Sequence, residues 1–224
     1  MHILFRTAAC FAVLSLIFQG CVSTRTTSLA NDGVAVPRGR TLAITKRAKP
    51  DFGAATAGKA MFGVIGAVAM ISAGNKIVAD NLIEDPATII ADQLSEELRV
   101  KYELVAAEDQ SVLVDTTDTQ QLANLYANAD LVLDVRTVAW EFLYRPNLTH
   151  YRVIYSVKVR LIDTHRRMTL AEAFCVRKDD DDKNPPTRDE LLADQAALLK
   201  IRLRDDAGAC ASELATKILG TPPT

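Results

Sequence analysis

The sequence predicts an α/β (α+β) fold, a mixed sheet with an antiparallel three-strand meander that is packed by helices, including a long C-terminal helix. Two observations predict the meander: residues 129–144 and 151–163 alternate apolar and polar side chains as half-buried strands do, and a third strand-like run, TLAEAFCVR, follows a short turn. A third observation predicts the helices, because apolar residues recur at helical spacing in 85–102 and 187–219.

The first twenty residues predict a signal peptide. Arg6 precedes an apolar run, 8–18, which fits a signal-peptide core and is too short for a spanning helix. Gly20-Cys21 then resembles a bacterial lipobox, so Cys21 is expected to carry palmitate-like acyl chains that hold the protein at a membrane. The alternative is an ordinary secretory signal with a chance cysteine. Val22, rather than aspartate, follows Cys21, which in such families implies the periplasmic face of the outer membrane.

The predicted domain organisation has three parts. Residues 1–20 are the signal peptide, 21–57 a lipid-anchored tether, and 58–220 a single periplasmic α/β domain. Removal of the signal peptide changes the formal net charge from −2 to −3, because Arg6 is lost. That balance, without a basic stripe interleaved with aromatic residues, argues against a nucleic-acid partner.

The stretch GKAMFGVIGAVAMISAGNK, residues 58–76, carries no charge between positions 60 and 74. As a helix, those fifteen residues rise about 22 Å, short of the ~30 Å hydrocarbon layer. The stretch therefore packs within its own domain, contacts another subunit, or contacts a membrane surface, and we favour the first. Small residues gather on one side of this helix and form a possible interface, because small side chains allow a second backbone to approach. They are Gly63, Gly66, Ala67 and Gly74.

The segments between this stretch and the meander have clear local signals. Asp85 is a natural N-cap with Pro86 at the first helical position, and Ile90, Leu94, Leu98 and Tyr102 share one helix face. SVLVD (111–115) predicts a short strand, and a short helix follows it. Within 129–144 the apolar face changes parity near position 136 or 137, which predicts a β-bulge.

The final predicted helix carries one of the two cysteines that remain after the signal peptide and the lipidation site are set aside. Thr187 and Glu190 form a capping-box pattern, and the apolar face of the helix that follows includes Cys210. Once Cys10 leaves with the signal and Cys21 is lipidated, Cys175 and Cys210 remain in an oxidising compartment. We predict a disulfide between them; two buried free thiols are the alternative.

The sequence has no pattern typical of an enzyme. It lacks a nucleophile elbow, a phosphate-binding glycine loop and paired metal-ligand spacing, so neither catalysis nor a cofactor nor a metal is expected. His150 and His165 are interpreted as surface residues at loop edges. Asp134 and Arg136 share one strand face, a spacing that suits a surface ion pair as well as a catalytic role. KDDDDKNPP, residues 178–186, is predicted to be a solvated acidic loop rather than a calcium site, since adjacent side chains in an extended chain diverge.

Two resemblances give a functional expectation. A strand–helix–strand–helix opening followed by the meander and a long final helix resembles the amino-terminal domain of the Tol translocation protein and the lipoproteins of curli secretion. GKAMFGVIGAVAMISAGNKIV, YRVIYSVKVRLIDT and DELLADQAALLK resemble an uncharacterised family of proteobacterial outer-membrane lipoproteins. The resemblance implies a non-enzymatic accessory or assembly module that contacts other envelope proteins, with a homo-oligomer as one form. The alternative is a periplasmic small-ligand-binding lipoprotein with a cavity lined by Trp140, Phe142 and Tyr144.

Overall fold

Three long antiparallel strands form the centre of the molecule. A computed structural model of the protein describes residues 25–29, 36, 38–108 and 112–219. In chain order the strands are β1 (Thr41–Ile44), β2 (Lys46–Arg47), β3 (Gly53–Ala55), β4 (Val105–Ala106), β5 (Leu113–Val114), β6 (Leu131–Tyr144), β7 (Tyr151–Asp163) and β8 (Met168–Lys178). The helices are α1 (Ala57–Ala60), α2 (Gly63–Asp80), α3 (Ala87–Tyr102), α4 (Thr119–Leu125) and α5 (Arg188–Leu219).

The main sheet is mixed, as the sequence predicts. Its strand order is β4-β1-β6-β7-β8, and β3 also pairs with β6. β6, β7 and β8 form the antiparallel meander. β1 runs parallel to both of its neighbours, and β3 pairs parallel with the far end of β6. β2 and β5 form a separate parallel pair. The predicted fold class is therefore confirmed.

The predicted change of parity in β6 is a β-bulge. The register between β6 and β7 shifts between Thr137 and Ala139, so that Leu133 and Val135 before the bulge and Trp140 and Phe142 after it all face the main core. An extra residue lets a strand keep its apolar side chains on one face while its backbone bends.

The two faces of the sheet are covered unequally. The main core lies between one face and helices α3 and α5, with the C-terminal half of α2 at its edge. A second, smaller core lies on the opposite face beneath α4. Ile154 and Ile162 alternate with the polar residues of β7, but both are buried, Ile162 because it belongs to the core beneath α4.

Capping at the two long helices follows the sequence. Asp85 accepts a hydrogen bond from the backbone N–H of Ala87 at 3.0 Å, at the start of α3. The Thr187–Glu190 capping box forms, with Thr187 N–H donating to Glu190 Oε2 at 2.7 Å and Glu190 N–H donating to Thr187 Oγ1 at 3.3 Å. α5 is interrupted by a short non-helical segment, residues 193–196, and still buries the predicted apolar face.

The predictions about the tether, the signal peptide and the cysteines have different outcomes. Residues 41–55, which the sequence assigns to the tether, supply β1, β2 and β3, so the folded region begins earlier than residue 58. They join the sheet because β6 offers one open edge along which β1 and β3 both pair. The signal peptide and Cys21 lie outside the described residues. Cys175 and Cys210 form a disulfide that ties β8 to α5, as predicted.

Candidate functional site

The N-terminal half of α2 and the turn before it carry bulky apolar side chains that face away from the domain. Met61 is 85% exposed, Val64 82% and Ile65 79%. Val68 and Ile71 are also exposed. Spacings of three and four residues place Val64, Ile65, Val68 and Ile71 on one side of the helix, and Met61 lies in the turn just before it. We call these five residues the apolar stripe.

The small residues of α2 do not act as one surface. A Cβ added at Gly66 would lie 1.9 Å from the carbonyl oxygen of Lys59, and one added at Gly74 would lie 1.8 Å from that of Phe52. Both glycines therefore sit in close contacts within the chain, and their assignment to an interface is wrong. Gly63 and Ala67 remain exposed beside the apolar stripe, and Gly63 has a positive φ of 55° with open space around it.

α2 is not a core helix, contrary to the favoured interpretation. It is the one helix in the described part of the chain that is long and apolar enough to span a membrane, and 22% of its 18 residues are buried. The buried side is the glycine side, where α2 packs against α1 and β3. A bulky apolar surface thus remains on a helix that is anchored through its small residues.

A cavity of about 570 Å³ lies where β1 and β2 leave the edge of the sheet beside α3. Its lining combines apolar side chains with charged ones of both signs, among them Leu42, Lys46, Lys49, Glu84, Ala91 and Val135. The cavity predicted around Trp140, Phe142 and Tyr144 does not form. Trp140 and Phe142 are fully buried and both make edge-on contacts with the Phe52 ring, so they belong to the core.

A hydrogen-bonded chain runs from the edge of this cavity into the core. Thr137, at the bulge, donates to Asp85 Oδ1 at 2.5 Å, and its hydroxyl lies 3.2 Å from the Tyr155 hydroxyl. Burial raises the pKa of Asp85, while the Thr137 hydrogen bond partly offsets that rise. Burial also raises the pKa of Tyr155. We interpret this chain of hydrogen bonds as support for the bulge.

An arginine cluster occupies the sheet face opposite the main core. Asp134 on β6 is buried, and its two carboxylate oxygens each receive one arginine: Arg47 reaches Oδ1 at 2.7 Å and Arg160 reaches Oδ2 at 2.6 Å. Thr45 Oγ1 donates to Oδ1 at 3.0 Å. The surface pair of Asp134 with Arg136 therefore does not form, because the carboxylate is buried and already used by two other arginines.

The acidic loop is held by arginines rather than free in solvent. Arg202 on α5 binds Asp179 and Asp182, each at 2.7 Å, and Arg152 on β7 binds Asp180. The expected solvated loop is thus fixed to two elements of the domain. Among the described residues, no group of three or more metal-ligating side chains is placed to hold a metal ion. His150 and His165 lie at loop edges, where His165 Nε2 is 2.9 Å from Asp130.

Comparisons with known proteins find matches to this chain among the solved structures. No family model and no curated protein matches it. One similar solved structure is the hypothetical protein CT253 from Chlamydia trachomatis, with a TM-score of 0.38 and 8% sequence identity over 82% of this chain and 99% of that one. A PelC dodecamer from Paraburkholderia phytofirmans has a TM-score of 0.33 and 17% identity over 82% of this chain and 95% of that one. The lipoprotein GNA1162 from Neisseria meningitidis has a TM-score of 0.30 and 13% identity over 79% of this chain and 99% of that one. These TM-scores are too low to carry a property over to this chain.

Proposed function

We propose that this protein is a lipid-anchored, non-catalytic envelope module that assembles with copies of itself through the apolar stripe. Its anchor is Cys21, and its domain faces the periplasm from the outer membrane, where the assembly acts as an accessory to other envelope proteins. The exposed apolar stripe is the observation that carries the proposal. Monomeric proteins seldom leave a contiguous bulky apolar surface in water, and such surfaces usually mark contacts.

The stripe has the geometry of a helix–helix contact. Residues at spacings of three and four along one face interdigitate with the same pattern on a second helix. Gly63 and Ala67 lie exposed beside the stripe and allow a second backbone to approach closely. The interacting surface therefore combines bulky side chains with small neighbours, as a packed helix pair requires.

A bilayer surface fits the stripe less well than a second copy does. Helices that lie on membranes usually carry lysine or arginine along the border of the apolar face. Between positions 60 and 75 this chain has no basic residue; Lys59 and Lys76 flank the segment at its two ends. We therefore take a second copy of this chain as the partner at the stripe.

Light scattering of two matched variants tests the proposal. The protein without residues 1–20, and with Cys21→Ser, should form a defined oligomer. Ile65→Glu should give a folded monomer, because it buries an unpaired charge in the contact. Val100→Glu is the control, since Val100 is a similarly exposed apolar residue on α3, away from the stripe, and it should leave the oligomer unchanged.

Two results would contradict the proposed assembly. One is an oligomer that survives Ile65→Glu. The other is a monomeric protein whose binding to phosphatidylethanolamine–phosphatidylglycerol vesicles is lost on Ile65→Glu, which would assign the stripe to lipid. Circular dichroism of each variant separates loss of assembly from loss of folding.

The cavity beside β1 favours a second candidate, a small-ligand carrier. Its volume and mixed lining suit an amphipathic molecule of modest size. Thr88 is exposed and lines this cavity. Native mass spectrometry should then show a co-purified ligand in the wild type that is absent from Thr88→Trp, whereas the assembly proposal expects no bound ligand in either protein.

A further inference from the structure

Arg136 is a half-buried cation without a hydrogen-bond or ion-pair partner among the residues that the structure describes. Within the described residues it donates no hydrogen bond and meets no carboxylate at ion-pair distance. Its neighbour on the same face of β6, Asp134, is fully engaged by Arg47 and Arg160. A guanidinium that gives up part of its hydration without gaining a partner carries a free-energy cost, which a bound acceptor would offset.

The surroundings of Arg136 are positively charged. Lys158 lies directly opposite it in the β6–β7 pairing, and Lys158 binds Glu172 at 2.9 Å. Among the six charged side chains named on this face, four are basic (Arg47, Arg136, Lys158, Arg160) and two are acidic (Asp134, Glu172). Burial and the like charges of Arg47 and Arg160 lower the pKa of Arg136, and the nearby Asp134 only partly offsets this. The face therefore has a local excess of positive charge.

The geometry points to an oxyanion-binding site at Arg136, flanked by Arg47 and Arg160, that takes a phosphate or carboxylate group. The planar guanidinium of Arg136 presents paired N–H donors that match two oxygens of such a group. A bound oxyanion would supply the acceptor that Arg136 lacks and would neutralise the excess charge that the three arginines place on one face.

The flanking arginines are fixed before a ligand arrives. Arg47 donates to Asp134 and to the carbonyl oxygen of Thr116 at 2.9 Å, and Arg160 donates to Asp134 and to the carbonyl oxygen of Thr117 at 2.8 Å. Side chains that are already immobilised lose little further entropy on binding. Arg47 also lines the cavity beside β1, so the oxyanion site and that cavity are neighbours.

Isothermal titration of the mature acylated protein in detergent, at constant ionic strength, tests the site with inorganic phosphate and with acetate as probes. We expect phosphate, acetate or both to bind, and Arg136→Gln to weaken that binding about ten-fold or more, the effect of losing a charge-assisted hydrogen-bond pair. Arg136→Lys keeps the charge but loses the fork, so it should weaken binding as well. Arg204→Gln on α5, an exposed arginine away from the sheet, is the control and should bind as the wild type does.

The two probes identify the ligand chemistry. Binding of phosphate alone assigns a phosphate group, and binding of both probes assigns oxyanions in general. Binding of acetate alone assigns a carboxylate group. The proposal is overturned if neither probe binds, or if Arg136→Gln leaves the binding unchanged. Because Arg136 makes no hydrogen bond or ion pair among the described residues, both Arg136 variants should fold, and circular dichroism checks this directly.

Discussion

The backbone of Phe52 and the helix position of Gly74 are in direct contact. A Cβ at Gly74 would lie 1.8 Å from the Phe52 carbonyl oxygen and 3.1 Å from the amide nitrogen of Ala54. This contact fixes the rotation of α2 about its axis: the glycine side faces β3, and the apolar stripe consequently faces outward.

Gly74→Ala should therefore destabilise the domain. The added methyl group meets backbone rather than a flexible side chain, so β3 or α2 must shift, and we expect a loss of about 2–3 kcal/mol in the free energy of unfolding. Gly208→Ala is the matched control, because Gly208 lies in α5 with nothing within 4 Å of its Cβ position. It should stabilise the protein by about 0.5–1 kcal/mol. Urea unfolding measures both, and equal effects of the two substitutions would contradict the contact.

Asp206→Asn should stabilise the protein at alkaline pH. Asp206 is buried on α5, and its Oδ2 has no hydrogen-bond partner among the residues that the structure describes. Burial, together with the charge of Asp179, raises its pKa to about 7. The folded state therefore keeps a proton that the unfolded chain releases near pH 4, and stability falls as the pH rises from about 4 to 7.

The difference in the free energy of unfolding between the wild type and Asp206→Asn should depend on pH. Asparagine carries no charge to bury, so the free energy of unfolding of Asp206→Asn should exceed that of the wild type by up to about 4 kcal/mol at pH 8 and match it near pH 4. Denaturant midpoints across this range give the measurement. A difference that stays constant with pH would show that the carboxylate is not the cause.

Loss of the Cys175–Cys210 disulfide should lower stability substantially. The bond closes a loop with a sequence separation of 35 residues. In the chain-entropy model, such a loop contributes roughly 3–4 kcal/mol. The double variant Cys175→Ala, Cys210→Ala should show this loss in urea, and reduction of the wild type should reproduce it. An unfolding midpoint that does not respond to reductant would contradict the bond.

The acidic loop gives a proteolytic test of its arginine contacts. Asp-Asp-Asp-Asp-Lys, residues 179–183, is the recognition sequence of enteropeptidase, which must take this segment in an extended, accessible form. Arg202→Gln removes the two ion pairs to Asp179 and Asp182, worth about 1 kcal/mol together, so cleavage after Lys183 should be about five-fold faster. Arg204→Gln should cleave at the wild-type rate, and equal rates in all three proteins would show a free loop.

Local patterns in the sequence predict much of the fold. The cap at Asp85, the bulge near Thr137, the capping box at Thr187 and the buried face of α5 each depend on residues close together in the chain. Such signals need no knowledge of distant partners, because they arise from the period of the helix or strand and from hydrogen bonds to nearby backbone. The disulfide followed from the compartment and from the placement of Cys210 on that buried face.

Long-range contacts explain what the sequence does not predict. The rotation of α2 depends on β3, which lies in a segment that the sequence analysis assigns to the tether. The sequence therefore does not show whether the small side or the bulky side of α2 faces the domain. Arg47 is 87 residues from Asp134, and no periodicity links the two. The alternating positions of Trp140 and Phe142 in β6 fit a core and a cavity lining equally well. Their contacts with the Phe52 ring show that they belong to the core.

The central claim, that a second copy covers the apolar stripe, is tested most directly by double electron–electron resonance, which measures the distance between two spin labels. Ser72 is exposed next to the stripe, so Ser72→Cys provides a site for a nitroxide label. The protein used lacks residues 1–20 and carries Cys21→Ser. Each copy then takes a single label, because the remaining cysteines form the disulfide. We predict a short distance between labels on two copies that disappears when labelled protein is diluted with unlabelled protein. Absence of dipolar coupling in undiluted samples, with the label in place and the domain folded, would contradict the claim.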